Sequence, residues 1–303
     1  MIEVQNLTKR YGATTAVNDL SFTVPDGAVT GFLGPNGAGK STTMRCLLGL
    51  NSPTSGCCTV DGRSFHDNAA PAHVAGAVLD ASWYHPGRTG RGHLQTVAAS
   101  AGIAQSRVRE ALAMVGLEKA AGRRIRGYSL GMKQRLGLAT ALLGNPRNLV
   151  LDEPVNGLDP EGVHWMRDVL RRSAADGKAV LVSSHLLSEV EMVADRLVVV
   201  GRGELIRESS IEDLLASSAQ RSIVHTTDDV RLQQALHQRQ IQHEQLGPHL
   251  AVEHCNQLPD PRALSQLCRD LDLLVLELHQ DRTSLEDLFL QLTDASSEYR
   301  SEN

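Results

Sequence analysis

Residues 29–50 read VTGFLGPNGAGKSTTMRCLLGL, and the pattern of this segment predicts the central fold. The apolar run Val29–Leu33 predicts a short buried strand, and residues 40–50 have the pattern of a helix. Between them, residues 34–41 match the spacing G-x-x-x-x-G-K-S of a phosphate-binding loop. The order strand, glycine-rich loop, helix is the context that this motif requires, so the sequence predicts an α/β core.

The chemistry of this loop comes from its backbone. Glycines allow the chain to curl until its N–H groups converge on phosphate oxygens, and the start of the following helix adds a favourable field. Lys40 is predicted to bridge the terminal phosphates, Ser41 to ligate Mg²⁺, and Thr42 to donate a further hydrogen bond. A glycine-rich turn without a ligand is the plain alternative. The predicted loop residues are Gly34, Pro35, Asn36, Gly37, Ala38, Gly39, Lys40, Ser41 and Thr42.

Two carboxylates follow a second apolar strand, in the segment NLVLDEP at residues 148–154. Burying paired charges at a strand end is costly unless a cation or another partner is present. We therefore predict that Asp152 holds Mg²⁺ through its water shell and that Glu153 orients and deprotonates an attacking water. A solvated strand end is the alternative.

The flanking sequence predicts the remaining architecture of this region. Residues 1–30 alternate apolar and polar positions around a Pro-Asp-Gly turn, which indicates an antiparallel β subdomain. Residues 85–145 are rich in Ala and Leu at helical spacing, which indicates a helical insertion. Strands at 148–151 and 179–183 flank a helix at 162–172, and this alternation favours parallel strands with crossover helices.

After about residue 216 the composition shifts toward Gln and His. The segments there read strand, helix, strand, strand, helix, strand, which fits a small ferredoxin-like α+β unit. We therefore expect two domains, 1–215 and 216–303. Six histidines in the second domain lack tight ligand spacing in sequence and are predicted to be solvated.

Composition limits the function classes. The net charge of −5 and the pI near 6.2 give no general electrostatic reason to expect nucleic acid as a main partner. No apolar stretch reaches the roughly 18 residues needed to span a bilayer, so the chain is not expected to form a channel by itself. The N-terminal segment MIEVQNLTKRYG lacks the pattern of a signal peptide, which predicts a cytoplasmic location.

Five motifs in order resemble the motif set of the ATP-binding cassette (ABC) ATPases over residues 1–215. They are the phosphate-binding loop, YSLGMKQ at 128–134, Asp152-Glu153, NGLD at 156–159 and SSH at 183–185. The family signature LSGGQ is divergent here, with Ser129 and Gly131 retained. The resemblance implies a head-to-tail dimer in which Ser129 and Gly131 contact the ATP of the other protomer. An ordinary helix cap is the alternative for Ser129.

The same resemblance implies roles for four further residues. His185 resembles the histidine that contacts the γ-phosphate, and Tyr11 resembles the aromatic residue that stacks on adenine. Asp159 resembles the residue that couples the two ATP sites, although a simple N-cap is its alternative. Asp80 aligns where the family commonly has Gln; its carboxylate can contact Mg²⁺ or its waters but lacks an amide donor.

The implied function is an ATP-hydrolysing subunit of an ABC transporter, bound peripherally to the cytoplasmic side of the membrane. Residues 283–290, TSLEDLFL, resemble the tail of ATPases paired with ABC-2-type export permeases, including antibiotic and multidrug systems. The expected partners are separate permease subunits and a second ATPase subunit, identical or not. An importer cassette and a non-transport ABC ATPase acting on ribosomes or chromosomes remain alternatives. The single motif set without a heptad run disfavours the latter.

Overall fold

A computed structural model of the chain describes residues 1–80, 84–217 and 220–282. The chain divides into a larger compact unit, Met1–Ile211, and a smaller one that begins at Glu212. The motif at 283–290 lies outside the described residues. Among the helices that the structure describes, none combines the length and apolarity needed to cross a bilayer.

The larger unit contains nine strands and seven α-helices within its described residues. The strands are β1 (Ile2–Tyr11), β2 (Thr14–Val24), β3 (Val29–Leu33), β4 (Ser55–Val60), β5 (Ala75–Val78), β6 (Asn148–Asp152), β7 (Ala179–Ser184), β8 (Arg196–Gly201) and β9 (Glu204–Ser210). The helices are α1 (Lys40–Leu47), α2 (Pro71–Val74), α3 (Gly90–Ser100), α4 (Ser106–Met114), α5 (Leu130–Leu142), α6 (Pro160–Ala175) and α7 (Leu187–Glu191).

A six-stranded sheet forms the centre of this unit, in the order β5-β6-β7-β3-β8-β9. Its strands are parallel except β9, which runs antiparallel to β8. Every residue of β3 and β7 is buried, which explains their continuous apolar runs, because parallel sheets are covered on both faces. Since β6, β7 and β3 are neighbours, their carboxyl ends meet at one edge, where ligands of such sheets bind.

The two faces of the sheet bury different partners. Val150 and Leu181 pack with the antiparallel sheet β2-β1-β4 and with α1, where the Phe22 and Phe32 rings stack 5.1 Å apart. Leu149 belongs to the core shared with the helical insertion, which consists of α3, α4 and α5 and contains no named strand in its described part. The predicted antiparallel β subdomain and helical insertion are therefore both present.

A buried histidine in the insertion leads to a pH prediction. His93 is 9% exposed, packs edge-on against Tyr84, and has no hydrogen-bond partner for either ring nitrogen among the described groups. Burial, with Arg88 nearby, lowers the His93 pKa below 6.5. Because the unfolded chain then binds the proton more tightly, the free energy of unfolding should fall as the pH drops below 6.5.

Urea unfolding of the chain and of His93→Phe checks this between about pH 7.5 and about pH 5.5. The variant keeps a buried ring that cannot titrate, so its free energy of unfolding should decrease less over this range. Equal decreases in both proteins would contradict a buried neutral imidazole at this position.

The smaller unit follows the predicted order of elements. Its elements are α8 (Ile211–Ser217), β10 (Gln220–Thr226), α9 (Asp229–Gln238), β11 (His243–Leu246), β12 (His249–Glu253), α10 (Pro261–Asp270) and β13 (Val275–Arg282). The four strands form one antiparallel sheet in the order β11-β12-β10-β13, and both longer helices, α9 and α10, begin with an aspartate N-cap.

Three of the C-terminal histidines form a cluster that their sequence spacing did not indicate. His249 and His279 lie 2.9 and 3.4 Å from the carboxylate of Glu277, and the His225 and His249 rings are 5.5 Å apart. The hydrogen bond from His249 lowers the Glu277 pKa. Within the described residues no group of three or more His, Cys, Asp or Glu side chains is arranged to hold a metal ion.

Candidate active site

The glycine-rich loop and the second carboxylate meet in one open pocket of about 230 Å³ at the carboxyl edge of the sheet. Glu153, which is distant in sequence, joins the loop because β6 lies two strands from β3. Two motifs predicted separately therefore form one site. The lining residues are Ala16, Asn36, Gly37, Ala38, Gly39, Lys40, Ser41, Thr42 and Glu153. Ala16 was not predicted; it carries no chemical group that sequence patterns could single out.

The loop conformation depends on glycine at two positions. Gly39 has a φ of +96°, and a Cβ there would lie 2.6 Å from the carbonyl oxygen of Ala16. A Cβ on Gly34 would lie 2.4 Å from the carbonyl oxygen of Val200. Both contacts are with backbone, which cannot rotate away, so the curled loop excludes larger residues.

Gly39→Ala should therefore weaken Mg-ATP binding by at least about tenfold. A left-handed backbone costs an Ala roughly 1–2 kcal/mol, and relief of the contact with Ala16 would distort the loop further. Calorimetric titration measures the affinity. Gly177→Ala is the matched control, because Gly177 has a φ of +84° but open space around its Cβ position. Unchanged affinity in Gly39→Ala, with the control also unchanged, would contradict a role for this loop geometry.

The Lys40 ammonium is held at the mouth of the loop by hydrogen bonds to backbone carbonyl oxygens of the loop. Its ammonium donates hydrogen bonds to the carbonyl oxygens of Gly34 at 2.5 Å and Pro35 at 3.1 Å, and the residue is buried. Burial lowers the Lys40 pKa, and the carboxylates of Glu153 and Asp152 oppose that shift. A cation in this position is suited to bind an anionic ligand in the pocket.

A serine on β7 organises the carboxylate pair. The Ser183 hydroxyl donates to Asp152, and it accepts a hydrogen bond from the backbone N–H of Glu153 at 3.0 Å. Glu153 itself has a φ of +47°, a left-handed conformation that is costly for a residue other than glycine and is typical of functional sites. Ser183 belongs to the SSH motif at 183–185, but nothing in the sequence pattern indicated this role.

Both carboxylate oxygens of Glu153 have partners. Oε1 lies 3.0 Å from Nδ1 of His185, and Oε2 accepts a hydrogen bond from the side-chain amide of Asn156 at 3.1 Å. These two contacts hold the carboxylate in one orientation beside the loop. His185 is thus brought to Glu153 as a neighbour, whereas the contact with Asn156 was missed; its position three residues after Glu153 was the available signal.

The turn at the start of α5 contains Ser129 and Gly131, and we name it the signature turn. It lies beside the loop that follows Asp152 and Glu153. Ser129 caps α5 by accepting a hydrogen bond from a backbone N–H in the first turn at 3.2 Å. A Cβ on Gly157 would lie 2.4 Å from Leu130, so the signature turn packs against this loop within the same chain. Within the described part of the chain, neither Ser129 nor Gly131 lines the pocket.

Seven other predicted residues also stand outside the lining of the pocket in the described structure: Gly34, Pro35, Asp152, His185, Asp159, Tyr11 and Asp80. The Asp159 carboxylate accepts a hydrogen bond from Gly162 N–H at 2.8 Å, which is the N-cap geometry. Tyr11 is 48% exposed, with the Lys9 ammonium 4.9 Å from its ring centroid. Asp80 is exposed just after β5. Burial of the Tyr84 ring is the main cause that raises the Tyr84 pKa, and the nearby Asp80 charge adds to it.

The donor set fits Mg²⁺. Ser41 supplies a hydroxyl in the pocket and Asp152 a carboxylate at the adjacent strand end, both hard oxygen donors. Mg²⁺ usually takes one or two protein ligands and completes its shell with water and phosphate oxygens.

Comparison with known proteins identifies the family. The ABC transporter family model matches residues 17–156. The bacitracin transport ATP-binding protein BcrA of Enterococcus faecalis is 42% identical over 217 residues, covering 71% of this chain and 70% of BcrA. BcrA of Bacillus licheniformis is 34% identical over 299 residues, or 96% and 97% of the two chains.

A solved structure with a P-loop NTPase fold agrees with these relatives. The structure titled "Structure of ATP binding subunit of ABC transporter" matches with a TM-score of 0.65 and 27% identity, covering 71% of this chain and 92% of that one. Together with the pocket formed by the phosphate-binding loop and Glu153, these likenesses show that the chain belongs to the ABC transporter family, as an ATP-binding subunit that hydrolyses ATP.

Proposed function

We propose that the chain drives export of a peptide antibiotic or similar compound through separate permease subunits. The observation that carries the ATPase part is the Glu153 carboxylate, held by His185 and Asn156 beside the phosphate-binding loop. The export part is supported by similarity to bacitracin transport proteins over nearly the full length of this chain. In this proposal ATP binding and hydrolysis alternately close and open a dimer and so move the permease.

Each predicted residue has a place in this proposal. The loop N–H groups and Lys40 hold the phosphates, while Glu153 takes a proton from the attacking water. His185 contacts the γ-phosphate through the ring edge that faces away from Glu153. Ser41 and Asp152 are the proposed Mg²⁺ ligands, with Asp80 near its water shell. When bound, Mg²⁺ neutralises phosphate charge as it develops.

The dimer follows from residues that lie outside the pocket of their own chain. Ser129 and Gly131, at the N-terminus of α5, are proposed to contact the γ-phosphate held by the partner, because a helix start favours anions. Asp159, in the loop under the signature turn, is proposed to couple the two sites. For Tyr11, Lys9 covers one ring face, and we infer that adenine stacks on the other.

ATP-dependent dimerisation tests this arrangement. Light scattering after size exclusion should show Glu153→Gln as a dimer with Mg-ATP and as a monomer with ADP, because ATP persists in a variant that cannot hydrolyse it. Adding Ser129→Arg should keep the protein monomeric, since the longer side chain occupies the γ-phosphate contact. A monomer with ATP, or a dimer insensitive to Ser129→Arg, would count against the proposal.

Direction of transport needs a cellular readout. Co-expression with its permease should raise the inhibitory concentration of bacitracin or a lantibiotic, and Glu153→Gln should abolish the increase. Increased sensitivity together with accelerated uptake of the compound would instead favour an importer.

The smaller unit is proposed to be an accessory domain of residues 216–303, with residues 1–215 as the ATPase domain. Its antiparallel sheet and its order of strands and helices support a ferredoxin-like unit. The whole subunit is proposed to lie at the cytoplasmic face of the membrane, beside its permease.

A further inference from the structure

The helical insertion is strongly basic in an otherwise acidic chain. Residues 85–145 contain ten Lys or Arg and only two carboxylates, Glu110 and Glu118, which gives a formal charge of +8. Because the whole chain has a net charge of −5, the remaining residues sum to −13. Such a separation of charge indicates that the insertion binds an anionic partner.

Backbone pairing concentrates five of these arginines in one place. Residues 86–91 run antiparallel to residues 121–126, with hydrogen bonds from Ile125 N–H to Arg88 O at 2.9 Å and from Arg126 N–H to Pro86 O at 3.0 Å. The pairing brings together Arg88, Arg91, Arg123, Arg124 and Arg126, which we name the arginine ribbon. All five are exposed.

No ribbon arginine forms an ion pair with a carboxylate in the part of the chain that the structure describes. Among the described residues of the insertion, the structure shows one ion pair, Arg107 with Glu110, and it involves no ribbon arginine. Arg123 donates to the carbonyl oxygen of Gly127, which leaves its charge uncompensated. Like charges in proximity repel one another, so an anionic surface placed against the ribbon would gain both attraction and relief of this repulsion.

The basic surface continues into a concavity of about 300 Å³ between α3 and α4. Arg91 and Arg109 line it with Gln95, Gln105 and Glu118, while the apolar residues there, Val108 and Leu112, are 4% and 2% exposed. The accessible lining combines polar and apolar atoms in similar proportions. Its two guanidinium groups suit phosphate groups, which guanidinium binds in a bidentate manner.

We propose that the arginine ribbon and this concavity bind anionic phospholipid headgroups of the membrane surface. The proposal rests on the proposed function, which brings the chain to the membrane. Clusters of four to eight basic residues are typical of such recognition. Binding of single-stranded nucleic acid is disfavoured, because the described aromatic rings near the ribbon, Tyr84 and Tyr128, are not exposed for base stacking.

Vesicle co-sedimentation of the purified full chain without nucleotide tests the proposal. Vesicles with about one-third phosphatidylglycerol in phosphatidylcholine should bind the chain, pure phosphatidylcholine vesicles should not, and added salt should weaken binding. Because each basic residue near such a surface strengthens partitioning about fivefold, the triple variant Arg88→Gln, Arg124→Gln, Arg126→Gln should bind about a hundredfold more weakly.

The control is the equally charged triple variant Arg231→Gln, Arg262→Gln, Arg269→Gln, whose exposed sites lie in the smaller unit and which should bind like the unaltered chain. Thermal unfolding and basal ATPase rates should remain unchanged in both variants. Equal loss in the control, equal binding to both vesicle types, or displacement from vesicles by RNA at low concentration would overturn the proposal. Failure of the proposed function would appear separately, as loss of Mg-ATP binding.

Discussion

Replacing Glu153 with Gln is expected to lower the steady-state rate of ATP hydrolysis by about a hundredfold to ten-thousandfold, the range that a positioned general base contributes. The amide keeps the size of the side chain and its hydrogen bond from Asn156 but cannot take a proton from water. Mg-ATP affinity should stay within about threefold, since the phosphate-binding loop is unaltered.

Release of inorganic phosphate and calorimetric titration of the same preparation measure the two quantities. Glu161→Gln is the matched control, an identical change at an exposed residue in the first turn of α6. Near-normal turnover in Glu153→Gln would exclude this carboxylate as the base. A parallel loss of affinity would mean that it mainly holds the ligand.

Lys40→Ala is expected to weaken Mg-ATP binding by more than about a hundredfold and to abolish hydrolysis with it. The change removes the buried ammonium that hydrogen-bonds the loop carbonyls of Gly34 and Pro35 and that is proposed to hold the phosphates. A charge-assisted contact with a phosphate is worth several kcal/mol once water is excluded, and here the loop geometry is lost as well.

Lys178→Ala is the control for Lys40→Ala. The Lys178 ammonium also donates to a backbone carbonyl oxygen, that of Pro146, and burial lowers its pKa too. It precedes β7 and so stands at the opposite edge of the sheet. Its loss should affect stability but not affinity. Retained affinity in Lys40→Ala, measured by calorimetry, would contradict the assigned role.

The parts of the site that could be predicted are those whose chemistry is continuous in sequence. The segment from β3 through the loop to α1 carries its own geometry, because glycine spacing and helix polarity act locally. The pair Asp152-Glu153 was predictable because charges at the end of an apolar strand require a partner. In the structure the loop follows β3 and the carboxylate pair lies at the end of β6, as the sequence predicts.

What could not be predicted depends on which strands become neighbours. Ser183 contacts Asp152 only because β7 lies beside β6 in register, and Asn156 reaches Glu153 only because the backbone at Glu153 turns left-handed. The same reason explains the C-terminal cluster, where pairing of β10 with β13 sets His225 opposite Glu277. Sequence spacing does not show which strands pair, although the three-residue separation of Glu153 and Asn156 was a local signal.

Calorimetric titration of the full chain with Mg-ATP is the decisive measurement for the nucleotide site. We expect saturable binding of one nucleotide per chain, with a dissociation constant between about 1 µM and about 1 mM, and loss of this binding when Lys40 is replaced by Ala. Absence of measurable binding by the folded, unaltered chain would contradict this expectation.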